Sequence, residues 1–132
     1  MDVRLIVIGR PTREYSALIL EYEKRLPKYC RFEVLELKDE RGLLDKVKGK
    51  LVILDRSGRQ FSSESLAEFL KGESSLTFVI GGDVGLSDAV KRVAKVVISF
   101  SQMTFPHQLA RLMLTEQVYR AFSILKGEKY HK

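Results

Sequence analysis

Two segments of the chain carry residue types that suit the binding of a small molecule. The first, Gly81-Gly82-Asp83-Val84-Gly85, is rich in glycine, which allows positive φ angles and a close approach of the backbone to a ligand. Its spacing is not G-x-G-x-x-G, no Lys-Ser or Lys-Thr follows as in a P-loop, and Asp83 would repel a phosphate. The segment indicates either a tight strand–helix turn without a ligand or a loop that binds a group other than phosphate.

The second segment is unusually apolar for a loop and consists of Phe100, Ser101, Gln102, Met103, Thr104 and Phe105. Loops usually lie on the surface and are polar. This composition therefore indicates a pocket wall, a protein interface or a loop packed into the core. A flat aromatic heterocycle with a ribose, held by backbone N–H and C=O groups, would suit such a wall. Leu54-Asp55, at the end of another predicted strand, is expected nearby.

Further side chains towards the C-terminus could act on a substrate. His107 stands beside the apolar loop, and Arg111 is expected on the more polar side of the last helix. Tyr130 and His131 lie in a tail that would ordinarily be frayed and solvated. An aromatic ring can stack on a nucleobase, and a histidine can titrate near neutral pH. The sequence alone leaves open whether these residues are structural or functional.

The residue pattern gives little support to metal or nucleophilic chemistry. The two histidines and the one cysteine are far apart and match no zinc-ligand spacing, and there is no G-x-S-x-G elbow. We therefore expect no metal. Cys30 has no base beside it in the sequence and is expected to be passive. A single cysteine excludes an internal disulfide and favours a reducing, cytoplasmic environment.

Apolar runs that alternate with amphipathic stretches predict the elements that would position these residues. The predicted strands are Val3–Ile8, Phe32–Leu37, Leu51–Leu54, Leu76–Ile80 and Val96–Ser99. The predicted helices are Glu14–Leu26, Ser63–Lys71, a segment from an N-cap at Ser87 through Ala94, and Pro106–Lys126. The first helix is expected to turn one face inward, with Tyr15, Leu18, Ile19, Tyr22 and Leu26. A turn is predicted over 56–60, on Ser57-Gly58.

Short apolar strands that alternate with helices predict an α/β fold, a mostly parallel sheet with helices on both faces. The length and the absence of a linker or repeat favour one domain, 1–132. The net charge of +6 is compatible with a polyanionic partner such as RNA, although solubilising charge explains it equally well. No apolar run approaches the ~20 residues of a membrane span, so no membrane partner is expected.

Several motifs together resemble one known family. They are Val79-Ile-Gly-Gly-Asp-Val-Gly-Leu86, Ser99-Phe-Ser-Gln-Met-Thr-Phe-Pro-His-Gln108, Glu116-Gln-Val-Tyr-Arg-Ala-Phe122 and Lys129-Tyr-His-Lys132. In this combination the chain is similar to the ribosomal large subunit methyltransferase H family, essentially from end to end. The likeness includes Leu5–Gly9, Glu21–Leu26 and Leu54-Asp55.

The resemblance implies a SPOUT-class fold with a C-terminal trefoil knot, which general rules of chain topology disfavour. It implies a homodimer that uses S-adenosylmethionine to methylate N3 of a pseudouridine in large-subunit (23S) rRNA, on the assembled ribosome. The cofactor would be held by Leu54, by Gly81 and by Phe100 through Phe105. As a hypothesis, His131 is the catalytic residue and reaches the target base with Tyr130 and Arg111, which bind the substrate.

Two other functions remain open from the sequence. One is a basic RNA- or ribosome-binding α/β module without enzymatic activity, which cofactor binding would discriminate. The other is a SPOUT methyltransferase that acts on tRNA, whose cofactor site would look the same. The connection 39–50 is shorter than in longer family members, which puts in doubt any RNA contact made there.

Overall fold

The computed structural model describes residues 1–132, which form a five-stranded sheet with helices packed on it. The strands are β1 (Asp2–Ile8), β2 (Arg31–Leu37), β3 (Lys50–Gln60), β4 (Ser75–Ile80) and β5 (Val96–Ser99). The helices are α1 (Arg13–Glu23), α2 (Ser63–Leu70), α3 (Asp88–Val93) and α4 (His107–Leu125), with short 3-10 turns at Leu26–Lys28 and Leu44–Lys46. All five predicted strands and all four predicted helices are present.

The sheet has the order β2-β1-β4-β3-β5, and every pairing in it is parallel. Parallel strands bring their carboxyl ends to one edge of the sheet. Because β3 lies between β4 and β5, the loops that follow those two strands lie on either side of Leu54, at the carboxyl edge of the sheet. The predicted α/β class with a parallel sheet is confirmed.

Helices cover both faces of the sheet, as predicted. Val3, Leu5 and Val7 of β1 point into a core that α2 and α4 cover, whereas Ile6 points into a smaller core on the other face. That second core is closed by Leu43, Leu86 and Val90, the last from α3. The strict alternation along β1 follows from the two-residue period of a strand.

The predicted turn over 56–60 is wrong. β3 continues to Gln60, and Arg59 and Gln60 pair with Ile98 and Ser99 of β5. The register shifts between Leu54 and Arg59, so the residues between them form a bulge rather than the end of the strand. Ser and Gly produced the turn signal, but pairing with β5 keeps the segment in the sheet.

The first helix is shorter than predicted. α1 ends at Glu23, and the chain enters a separate 3-10 turn in which Leu26 is buried. Pro27 cannot continue an α-helix, because it lacks a backbone N–H. The predicted inward face is also wrong at Leu18, whose side chain is exposed, although Ile19 is buried as expected.

Helix ends agree with local sequence signals. The side chains of Ser62 and Ser87 accept hydrogen bonds from the third residue after them, and so cap α2 and α3. Pro106 precedes the first residue of α4. Gly127, with φ of 69°, ends that helix in the left-handed conformation that glycine adopts without strain.

Candidate functional site

A cavity of about 750 Å³ opens at the carboxyl edge of the sheet. Its volume falls within the range of small-molecule sites. The ends of β3 and β4, the glycine-rich loop, the loop after β5 and the start of α4 form its walls. Among its lining residues are Leu54, Gly81, Phe100, Ser101, Met103, Thr104 and Phe105.

The structure thus brings seven of the eight residues predicted to hold a cofactor to one cavity. The exception is Gln102, which is exposed and does not line it. Met103 lines the cavity but is 72% exposed, so it lies at the rim.

Ser99 shapes the loop after β5. Its buried hydroxyl donates to the carbonyl of Ser101 at 2.7 Å and accepts from the N–H of Ser101 at 3.0 Å. The Ser101 hydroxyl in turn accepts from the N–H of Met103 at 3.0 Å. These bonds fold the loop tightly, while the backbone groups of Thr104 and Phe105 make no backbone hydrogen bond. The loop therefore offers free N–H and C=O groups beside an apolar wall.

The glycine-rich loop is fixed by close backbone contacts. A Cβ atom at Gly81 would lie 2.9 Å from the carbonyl carbon of Gly85, so Gly81 has no room for a side chain. Across the cavity mouth, Nδ1–H of His107 donates to a carboxylate oxygen of Asp83 at 2.8 Å. This contact ties the loop to the first turn of α4.

Asp55 ends the regular part of β3 at the cavity. Its carboxylate accepts hydrogen bonds from the N–H and the hydroxyl of Ser57 and pairs with Lys91 of α3 at 3.3 Å. Burial alone would raise the pKa of Asp55, but these contacts together hold the pKa below its usual value. The carboxylate is therefore ionised and occupied by partners within the chain.

The C-terminal tail folds back onto α4. The Tyr130 hydroxyl donates to Glu116 at 2.7 Å, and its ring packs edge-on against Tyr119 with centroids 4.7 Å apart. Burial, together with the hydrogen bonds to Tyr22 and Glu116, raises the pKa of Tyr130 far above its usual value. Tyr130 is therefore neutral, and its one hydroxyl proton is donated to Glu116.

His131 is held between two charged side chains. Its Nδ1 lies 3.1 Å from Nη1 of Arg120, and its Nε2 lies 2.7 Å from a carboxylate oxygen of Glu64. A guanidinium can only donate, so Nδ1 accepts and the ring proton lies on Nε2, donated to Glu64. In this arrangement His131 presents a donor rather than a free lone pair.

The tail does not reach the cavity of its own chain. Neither Tyr130 nor His131 lines it. The cavity lies at the start of α4, beside His107, whereas Tyr130 contacts Glu116. With a rise of 1.5 Å per residue, His107 and Glu116 are roughly 14 Å apart along α4.

Arg111 is buried rather than placed on the polar side of α4, so that expectation is wrong. Its side chain is 7% exposed and pairs with Glu23 of α1 at 3.0 Å and with Glu36 of β2 at 2.7 Å. Burial raises the pKa of Glu23, although Arg111 opposes this shift. The guanidinium joins three elements of the fold, and no hydrogen bond links it to Tyr130 or His131.

Sequence reasoning assigned no role to Arg120. Besides its bond to His131, Arg120 pairs with Glu116 at 2.7 Å, and its guanidinium carbon lies 4.8 Å from the centre of the Tyr130 ring. The i,i+4 spacing of Glu116 and Arg120 predicts their own pairing. Nothing in the local sequence signals that both would hold the tail.

Two kinds of feature are absent from the structure. None of the helices is both long enough and apolar enough to cross a membrane. No group of three or more His, Cys, Asp or Glu side chains is arranged to bind a metal ion.

Comparison with known proteins defines the class first. A family model described as "Predicted SPOUT methyltransferase" matches residues 1–131. A probable methylase family protein from Haemophilus influenzae superposes with a TM-score of 0.62 at 11% identity, covering 98% of this chain and 70% of the other. A putative methyltransferase from Legionella pneumophila, solved with bound S-adenosylmethionine, superposes with a TM-score of 0.54 at 10% identity, covering 95% and 66%. These two structures share the fold.

Closer relatives define the family. Proteins named ribosomal RNA large subunit methyltransferase H are 42% identical in Clostridium acetobutylicum and 40% identical in Latilactobacillus sakei, with both chains covered completely. The chain belongs to this family of SPOUT methyltransferases. The expected cofactor, S-adenosylmethionine, is confirmed at the level of the family.

The cavity fits this cofactor. The apolar walls at Leu54, Phe100 and Phe105 suit the adenine ring, and the unpaired backbone groups of Thr104 and Phe105 suit its polar edge. Gly81 keeps this part of the wall compact, since a Cβ atom there would meet the backbone of Gly85.

Proposed function

We propose that this chain methylates N3 of a pseudouridine in large-subunit rRNA on the assembled ribosome. It would act in the cytoplasm as a homodimer of single-domain subunits, 1–132, each with its C-terminal part threaded as a trefoil knot. The observation that carries the proposal is the cavity at the carboxyl edge of the sheet, where residues assigned to the cofactor by family resemblance lie together. Relatives with the methyltransferase H name support the rRNA substrate.

In this proposal the cofactor is held by Leu54, by Gly81 and by Phe100–Phe105. When bound, S-adenosylmethionine supplies an electrophilic methyl group to the acceptor. The walls would orient the ligand and exclude water, so alignment with the acceptor contributes most of the catalysis. Gln102 does not line the cavity, so it would contribute only by joining Ser101 to Met103 in the loop.

The acceptor N3 must lose its proton, which would pass to solvent water, and a hydrogen-bond donor would stabilise the resulting anion. A uracil anion carries much of its charge on its carbonyl oxygens. The Nε2–H of His131 is a donor suited to such oxygens, whereas the hydroxyl of Tyr130 already donates to Glu116 and its ring would contact the base instead. Because Glu64 is exposed, the substrate can replace it as the partner of His131. Arg120 would be a positioning residue that holds both.

The tail would complete the site of a second subunit. Within one chain the tail lies roughly 14 Å along α4 from the cavity, so donors and cofactor do not meet. A symmetric dimer can bring the tail of one subunit to the cavity of the other. Exposed Leu18 and Leu20 on α1 provide apolar surface that such a dimer could cover.

Substrate recognition would come from the dimer surface. The relatives align over 159 positions, so they carry residues that have no counterpart in this 132-residue chain. We expect the short connection 39–50 to account for part of this difference. A charge of +6 per chain is compatible with an RNA partner.

The first experiment measures transfer of a labelled methyl group to intact ribosomes, free large subunits and tRNA in parallel. We expect incorporation into large-subunit rRNA of ribosomes, with N3-methylpseudouridine identified by mass spectrometry. Gly81→Arg is the inactive control, and its loss of cofactor binding is checked by calorimetry. Methylation of tRNA alone would assign another substrate, and no methylation of any RNA would refute the proposal.

The second experiment tests the shared site. Gly81→Arg and His131→Ala are each expected to be inactive as homodimers. After equal amounts of the two are unfolded and refolded together, about half of the dimers should be heterodimers, each with one intact cavity facing one intact tail, and activity should return to about a quarter of the wild-type value. Recovery would support catalysis across the dimer. No recovery, with heterodimers demonstrated by mass spectrometry, would contradict it.

A further inference from the structure

The bulge of β3 lies beside the cavity and carries arginine side chains that the proposed cofactor contacts do not use. Leu54 and Arg59 both pair with Ile98 of β5, so residues 55–58 leave the regular ladder between them. Arg56 lies in this bulge and lines the cavity. Arg59 is the first residue after the bulge and does not itself line the cavity. Bulges near active sites commonly redirect side chains.

The bulge is held firmly in place. A Cβ atom at Gly58 would lie 2.7 Å from the carbonyl oxygen of Val97, so the two backbones are in close contact. The hydroxyl oxygen of Ser99 lies 3.3 Å from the carbonyl oxygen of Arg56, although its proton is donated to the carbonyl of Ser101 at 2.7 Å. Asp55 accepts from the N–H of Ser57 at 3.0 Å. The two arginine side chains therefore extend from a fixed backbone.

Neither guanidinium is neutralised within the chain. Arg56 and Arg59 are exposed, and neither forms an ion pair. The nearest acid in sequence, Asp55, is already bound to Ser57 and Lys91. The guanidinium carbon of Arg59 lies 4.9 Å from the centre of the Phe61 ring, and stacking of this kind leaves the N–H edge free for a planar acceptor.

We propose that Arg56 and Arg59 bind phosphodiester groups of the substrate RNA at the mouth of the cofactor cavity. The inference rests on the proposed function, because a target base that enters the cavity brings its own backbone to the rim. Guanidinium groups bind phosphate oxygens in a bidentate manner. Since these contacts recognise backbone, they position the strand and carry no base specificity.

The test is the double variant Arg56→Gln/Arg59→Gln, which removes charge but retains polar side chains of similar shape. Its readouts are co-sedimentation with ribosomes, kcat/KM for methyl transfer over a range of salt concentrations, and cofactor affinity by calorimetry. The matched control is Lys38→Gln/Lys71→Gln, which removes two exposed, unpaired cations away from the cavity lining.

We expect the arginine variant to bind ribosomes at least tenfold more weakly at physiological salt, with unchanged cofactor affinity and kcat. Loss of two phosphate contacts should reduce the slope of log kcat/KM against log salt by about 1.4 to 1.8. The lysine control should keep the wild-type slope and affinity.

Three results would overturn the inference: unchanged ribosome binding, an equal loss in the lysine control, or weakened cofactor binding. Co-sedimentation separates this inference from the proposed function. A wild-type protein that binds ribosomes through these arginines but methylates none would refute the proposed function alone. Normal methylation by the arginine variant, with normal binding, would refute this inference alone.

Discussion

Replacing Arg111 with Met is expected to destabilise the fold by about 3 kcal/mol at neutral pH. Met retains most of the buried volume but leaves the carboxylates of Glu23 and Glu36 without their cation. Loss of one partner from a buried ion pair costs about 3–5 kcal/mol. The low end applies because the side chain of Glu36 is 32% exposed and water can partly replace the guanidinium.

The loss should depend on pH in a defined direction. Burial raises the pKa of Glu23 even with Arg111 in place, and removal of Arg111 would raise that pKa further. A carboxyl with a raised pKa binds its proton more tightly in the folded state, so folding is favoured at low pH and loses stability as pH rises through the folded pKa. The difference between variant and wild type should therefore shrink between pH 7.5 and pH 5.

Urea unfolding followed by circular dichroism at fixed protein concentration measures this effect, because the stability of the proposed dimer would depend on concentration. A loss of about 3 kcal/mol corresponds to a midpoint lower by roughly 1–3 M urea. Arg111→Met/Glu23→Gln is the matched control and should recover part of the loss. A loss below about 1 kcal/mol, as for a surface pair, or one independent of pH, would refute the reasoning. A stable variant that binds cofactor but fails only with RNA would instead favour contact between Arg111 and the substrate.

Three further perturbations follow from the same structure. Ser99→Ala removes the hydroxyl that folds the loop after β5. It should lower the free energy of unfolding by about 1–3 kcal/mol and weaken cofactor binding measured by calorimetry. Unchanged cofactor affinity would contradict this role. Burial raises the pKa of Cys30 to about 11. Its thiol should therefore react with a disulfide reagent at pH 8 roughly two orders of magnitude more slowly than the same thiol in unfolded protein. Equal rates would show that the Cys30 thiol is accessible. Asp83→Ala releases the glycine-rich loop from His107 and should weaken cofactor binding by less than tenfold, since the contact is exposed. Asp83→Asn is the control, because it retains a hydrogen-bond acceptor.

Local sequence patterns predicted the elements and most of the cavity. Apolar runs such as Leu76–Ile80 specify buried strands, and helical periodicity specifies α4, because both patterns are local. In a parallel α/β sheet the loops after the strands meet at one edge. The expected cavity at the glycine-rich loop and at Phe100–Phe105 therefore followed from the order of the elements, and the family resemblance assigned its ligand.

The pairing of residues that are distant in sequence depends on the tertiary structure. The bulge of β3 depends on the close approach of Gly58 to Val97, which a local turn signal cannot reveal. Arg111 is buried because Glu23 and Glu36, remote in sequence, converge on it. The ordering of the tail requires Arg120 and Glu64 on two packed helices. Such pairings depend on which elements pack together, and a periodic pattern specifies the face of each element but not the partner that it meets.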